Sequence, residues 1–238
     1  MLKQKKIKNL YSIPYFMSLI LSIETSTGVC SVALHDTGKL IAHTTLVSSR
    51  SHAEFLMVII DDLLKISQYE QKALEAVAIS HGPGSYTGLR IGAAVAKGLC
   101  YGLGIPLIAI DALEAMAYEM SFWIDAETLL CPAIDARRSA IYTLITNKNR
   151  VIKRPTHIAL LDSEEYRASL PNEPLVFFGD GVVKCKQFLM ERTNIRFVEG
   201  VLPSAIQIGY LAFPKFQEQC WEAIANYEPC YLSQFQEK

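Results

Sequence analysis

An α/β fold built as a duplication, two β-β-β-α-β-α lobes in one chain, is predicted by three features of the 238-residue sequence. Two apolar runs, residues 18–24 and 129–135, each end in a carboxylate, Glu24 and Asp135. Each is followed by the pattern of a β-hairpin. Each lobe then carries a further strand that runs into a glycine turn, Gly82-Pro83-Gly84 in the first and Gly179-Asp180-Gly181 in the second. One element order repeated in one chain is the mark of a duplicated unit.

Taken in order, residues 18–24 form a mainly apolar run ending in a carboxylate, the pattern of a buried strand. Residues 29–35 and 39–47 face each other across Asp36-Thr37-Gly38, a hairpin turn. A helix is predicted over 52–66 and a buried strand over 76–80, and the segment from His81 leads into a second helix ending near Gly102. The second lobe repeats this with a strand at 129–135, a hairpin of 140–146 and 151–158 around Asn147-Lys148-Asn149, and a helix near 163–169. A strand at 175–178, the turn and a helix to about Arg192 complete it. The lobes are assigned as residues 17–111 and 112–238. Residues 1–16 carry Lys3, Lys5, Lys6 and Lys8 ahead of a short apolar patch interrupted by Pro14. They match neither a signal peptide nor a membrane helix and are expected to be an extension outside the fold and without function.

Half the residues are hydrophobic and 20% charged, which predicts a sizeable core. The net charge of −1 gives no overall electrostatic footprint for nucleic acid. The six cysteines are scattered without a C-x-x-C pair, the usage of a protein with reduced thiols in the cytoplasm.

The run His81-Gly82-Pro83-Gly84-Ser85-Tyr86-Thr87-Gly88-Leu89-Arg90-Ile91-Gly92 is the most informative stretch. A glycine turn between strand and helix aims backbone N–H groups at one spot, where the helix dipole favours an anion. The competing reading is a tight turn that only packs strand on helix. The candidate ligand residues are Glu24, Thr25, Gly82, Gly84, Ser85, Asp135, Gly179 and Gly181. Asp135, Arg137 and Arg138 at a strand end suit an anion site and a salt bridge across the cleft equally well. His52 and Glu54 are two apart on a helix and do not converge, so His52 is read as a solvated helix start. Ser85 lacks the glycine two positions before it that a nucleophile elbow needs. No catalytic residue is assigned.

The first long helix has a stripe of Ala53, Leu56, Met57, Ile60, Leu63 and Leu64 at helical spacing, with Phe55 and Ile59 on a second face. The second has only Arg90 and Lys97 as charges and a small-residue ridge of Gly88, Gly92 and Ala96 that permits close approach of another helix. A deeply buried helix pair and a protein–protein interface both account for this. The interface reading takes Leu56, Met57, Ile60, Leu63, Leu64, Gly88, Leu89, Gly92 and Ala96 as the partner face, with Met57 or Ile60 turned outward.

Four blocks carry a family resemblance. They are Ile23-Glu24-Thr25-Ser26 with Cys30-Ser31-Val32-Ala33-Leu34; the run from His81 to Gly92; Ile134-Asp135-Ala136-Arg137-Arg138 with Ile141-Tyr142; and Gly179-Asp180-Gly181. Glu228-Pro229-Cys230-Tyr231-Leu232 adds to them. The chain resembles the actin-like ATPase superfamily, with its ribonuclease H-like fold, and within it the TsaB family of bacterial tRNA threonylcarbamoyladenosine biosynthesis. The resemblance implies a non-catalytic partner that binds and activates the catalytic subunit TsaD, pairing with it, or with a second copy of itself, through such helices. It further implies a TsaE-like ATPase in the full complex, tRNA held only through the complex, no tightly bound cofactor, and ATP and metal handled by the partner subunits. The sister family TsaD carries a metal-binding His-x-Glu-Gly-His after its next strand. The same spacing here gives Ala112-Leu113-Glu114-Ala115-Met116. A methyl group and a thioether stand where two imidazoles would bind, so no metal ligand is assigned. The alternative is an enzyme in its own right, a glycoprotease-like metallohydrolase or a small-molecule kinase of the superfamily. The isolated chain is expected to catalyse neither proteolysis nor threonylcarbamoyl transfer.

Overall fold

The computed structural model describes residues 18–47 and 52–232; the reading of residues 1–16 lies outside them. The first sheet comprises β1 (Leu19–Glu24), β2 (Val29–Asp36), β3 (Lys39–Val47), β4 (Ala76–Gly82) and β5 (Leu107–Asp111), in the order β3-β2-β1-β4-β5. The second comprises β6 (Leu129–Asp135), β7 (Ala140–Thr146), β8 (Ile152–Leu160), β9 (Leu175–Phe178) and β10 (Ile195–Val198), in the order β10-β9-β6-β7-β8. Numbered within each unit, both sheets read 3-2-1-4-5. In each, the central strand pairs antiparallel with its hairpin and parallel with the strand before the glycine turn. The duplication is therefore present at the level of strand order.

The helices are α1 (His52–Ile66), α2 (Tyr86–Leu103), α3 (Ala112–Met120), α4 (Glu164–Ser169), α5 (Val182–Leu189) and α6 (Ala205–Gln217). Each repeat runs one strand and one helix beyond the predicted unit. Asp111 starts α3 as its N-cap, its Oδ1 accepting the N–H groups of Leu113 (2.7 Å) and Glu114 (3.1 Å). Ser163 and Ser204 cap α4 and α6 in the same way. The closing helices exchange partners. α3 follows the first sheet in sequence but packs on β6 of the second, while α6 follows the second sheet and lies on β1, β2 and β4 of the first. α3 and α6 also touch each other, so the two lobes share a seam on one side.

The core is continuous in each lobe. Leu19, Leu21, Ile23, Val32 and Leu34 pack under Leu56, Ile60, Ala96 and Cys100, and Phe177, Cys131 and Ile141 pack with Cys185 and Leu189. No helix among the described residues is long and apolar enough to cross a membrane.

His35 on β2 is fully buried beneath Gly209 of α6, its ring set edge-on to Tyr210 at 5.0 Å. Burial pulls its pKa from 6.5 down to about 4. The neutral ring is favoured in the folded protein, so its contribution is complete above pH 6.5 and is lost as pH falls from there towards 4. His35→Leu is accordingly expected to remove a pH-dependent loss of roughly 2 to 3 kcal/mol across that interval. Melting curves of the two proteins from pH 7 to pH 4 check this: parallel curves throughout would show that His35 titrates normally.

Candidate functional site

Between the lobes lies a cleft of about 820 Å³, walled by Ser26, Thr27 and Gly28 after β1, the start of α2, the end of β6 and its following turn, and the first residues of α1. Of the predicted ligand residues, Gly84, Ser85 and Asp135 line it. Glu24, Thr25, Gly82, Gly179 and Gly181 stand behind its walls.

Glu24 is fully buried. One carboxylate oxygen accepts the Ser26 N–H at 2.5 Å and the other has no partner among the described groups. Burial raises its pKa, against the hydrogen bond from the Ser26 N–H that lowers it; the nearby Asp111 charge adds to the rise. The glycines of α2 explain the turn. A Cβ on Gly84 would enter the Ser26 carbonyl, one on Gly88 the Thr25 carbonyl, and one on Gly92 the Thr25 hydroxyl. The helix is pressed directly onto the chain leaving β1. Ser85 then donates its N–H to the Ser26 carbonyl at 2.6 Å, and its hydroxyl accepts the N–H of Gly88 at 3.3 Å.

In the second lobe, the Asp135 carboxylate accepts the Arg137 N–H and the Lys184 ammonium, both at 2.6 Å, and the Asp135 N–H donates to Asp180 at 3.0 Å. Asp135 therefore has its salt bridge within its own lobe, where the sequence reading offers one across the cleft. Gly179 has φ +112°, and a side chain there would meet the Ala133 carbonyl, to which Gly181 donates its N–H at 3.0 Å.

A nucleotide is the ligand the actin-like fold brings to mind, and its phosphates need free backbone donors in these turns. Here the Ser26 N–H is on Glu24, the Val29 N–H on Thr27, the Ser85 N–H on Ser26 and the Gly88 N–H on Ser85. These four donors are satisfied within the turns themselves. Ala112 and Met116, at the positions of the sister family's metal ligands, are buried in an apolar cluster with Leu113, Ile134 and Phe178. The Met116 methyl group packs against the Gly179 turn.

His52 corrects the sequence reading. It is 8% exposed, its Nε2 has no partner among the described groups, and it lines the cleft beside Ser26, whose hydroxyl is likewise unpaired. Local periodicity could not show that the start of α1 points into a space formed by the other lobe.

The partner face is corrected as well. Leu56, Ile60, Leu63 and Leu64 are buried under α1, and Gly88, Leu89, Gly92 and Ala96 under α2. Ile60 is 1% exposed, so it is a core residue, whereas Met57 is 46% exposed and points outward. The strongest helical stripe packs on the chain's own sheet, because that is where most apolar area is covered. What remains outside is a different set: Phe55, Met57, Val58 and Ile66 on α1, and Tyr101 on α2 at 86% exposure. Ala94, Gly98 and Gly102 share the outer side of α2, and a Cβ at Gly98 or Gly102 would meet open space. The two helices pack side by side, and exposed Glu54, Asp61, Asp62 and Lys65 stand among these apolar residues on α1.

Known proteins resemble this chain along most of its length. The family described as "TsaD: tRNA N6-adenosine threonylcarbamoyltransferase" matches residues 42–163. A "tRNA threonylcarbamoyladenosine biosynthesis protein TsaB" of Haemophilus influenzae is 29% identical over 222 residues, covering 90% of this chain and 92% of that protein. The protein of the same name from Bacillus subtilis is 30% identical over 173 residues, covering 71% and 74%. Among solved structures, "YeaZ from Pseudomonas aeruginosa" superposes with a TM-score of 0.77 at 26% identity, over 91% of this chain and 100% of that one. With 30% identity to the Bacillus subtilis protein over 74% of that protein's length, the chain belongs to the TsaB family, whose members are named for tRNA threonylcarbamoyladenosine biosynthesis.

Proposed function

We propose that the chain acts in threonylcarbamoyl transfer to the adenosine beside the anticodon of tRNA as a non-catalytic subunit that binds and activates a TsaD-type catalytic subunit. The observation that carries this reading is the outer face of α1 and α2. Phe55, Val58, Ile66 and Tyr101 are large apolar side chains left in water, next to glycines that admit a second helix at close range. A helix pair from the partner fits such a face as a four-helix bundle. A second copy of the chain can use it in the same way when the partner is absent. ATP and metal are handled by the catalytic subunit and a TsaE-like ATPase; the apolar Ala112 and Met116 support that division of labour. The protein works in the cytoplasm, where its buried thiols stay reduced.

Reconstitution tests the proposal. The chain alone is expected to give no modified tRNA, the catalytic subunit with its ATPase little, and all components together full transfer. Transfer by the chain alone, or full transfer without it, would sink the reading. tRNA is held through the complex. With net charge −1, the chain alone is expected to bind tRNA with a Kd above about 1 μM at physiological salt. A filter-binding titration that saturates below that, with a steep salt dependence, would contradict it.

A further inference from the structure

We propose that residues 221–232 form a built-in staple that fixes the angle between the two lobes across the cleft. The staple does at the cleft mouth what a ligand bridging the lobes would otherwise do. The segment leaves α6 and first adds itself to the open edge of the first sheet, where the Glu222 N–H donates to the Leu107 carbonyl at 2.8 Å. It then crosses α2, whose Lys97 ammonium donates to the carbonyls of Ala225 (3.3 Å) and Tyr227 (3.2 Å). Next it passes over the glycine turn. The Cys230 N–H donates to the His81 carbonyl at 2.8 Å, and the Cys230 carbonyl lies so close to Gly82 that a Cβ there would be 2.9 Å from it. The Tyr231 ring stacks at 4.8 Å on Tyr86, which lines the cleft from the first lobe. Finally the segment reaches the second lobe, where the hydroxyl of Tyr142, which lines the cleft from that side, donates to the Leu232 carbonyl at 2.9 Å.

The seam between the lobes supplies the complementary hinge. There α3 and α6 pack together, and the Asp111 carboxylate accepts the Thr156 hydroxyl at 2.9 Å, joining β5 to β8. The seam borders the staple, since Asp111 pairs across the strands with Gly82, over which the Cys230 carbonyl lies. Lobes held at the seam alone can rock about it; with the segment bonded to both walls of the cleft, that rocking is restrained. The inference depends on this chain's own contacts and stands apart from the assignment of a partner.

Two variants test it by hydrogen–deuterium exchange. Tyr142→Phe removes the donor and keeps the ring; a chain ended after Glu228 removes the attachments at Cys230, Tyr231 and Leu232. For the first, exchange of the cleft-wall amides of Ser85, Asp135 and Arg137 should accelerate about five-fold, the effect of losing one ordinary hydrogen bond. For the second it should accelerate more, with the amides of α3 and α6 unchanged in both. Unaltered exchange at the cleft in Tyr142→Phe would overturn the proposal. So would acceleration spread evenly over both sheets and the seam, because the segment would then be general packing. If the shortened chain does not fold, Tyr142→Phe alone decides.

Discussion

Val58→Asp in α1 should abolish capture of the TsaD-type subunit and leave the free protein folded. Val58 is 52% exposed, so a carboxylate there stays hydrated in the isolated chain and costs little stability. In a complex built on the α1–α2 face it would be carried into an apolar contact without a partner, a change worth several kcal/mol. A loss of about 3 kcal/mol is already more than a hundred-fold in affinity. Tyr101→Asp on α2 should act in the same way from the neighbouring helix. Ile60→Asp is the contrast: its side chain is 1% exposed in the core under α1, and the variant should fail to fold. Calorimetric titration with the catalytic subunit, next to a melting curve of each variant, separates these outcomes. Full-strength binding by both Val58→Asp and Tyr101→Asp would place the partner elsewhere on the molecule.

The contrast between Val58 and Ile60 also marks what the sequence could and could not convey. Mainly apolar runs such as Leu19–Glu24 and Leu129–Asp135 were legible because a strand covered on both faces admits few polar residues, and the hairpins announced themselves through their turn residues. On α1, periodicity shows a stripe but not what lies against it. The strongest stripe is drawn to the protein's own sheet, and the apolar residues left exposed form a weaker set. α6 was missed for a related reason. Gly209 and Pro214 interrupt its helical pattern, and its place is fixed by strands more than a hundred and seventy residues earlier, where Ser31 accepts the Ala205 N–H at 3.2 Å. The run 221–232 has no periodicity to read, since it follows the surfaces of both lobes through backbone contacts. The glycine turn was the ambiguous case. Its glycines suit a phosphate cradle and a close helix-to-strand contact alike, and the position of Thr25 and Ser26 beneath α2 shows that the contact is made.

That contact has a measurable consequence within one helix. Gly88→Ala and Gly98→Ala make the same chemical change ten residues apart in α2 and should have opposite signs. At Gly98 the new methyl group meets open space, so the gain in helix propensity, roughly 0.5 to 1 kcal/mol, appears as a rise in Tm of about 1 to 4 °C. At Gly88 the methyl group is driven into the Thr25 carbonyl, backbone against backbone, with no flexible side chain to yield. Overpacking of that kind costs about 3 kcal/mol, or roughly 6 to 12 °C in Tm for a chain of this size. To accept it, α2 must lift from β1, which loosens the Ser85 N–H from Ser26 and opens the turn that the wild-type packing closes. A Gly88→Ala protein that melts with the parent would show slack beneath α2.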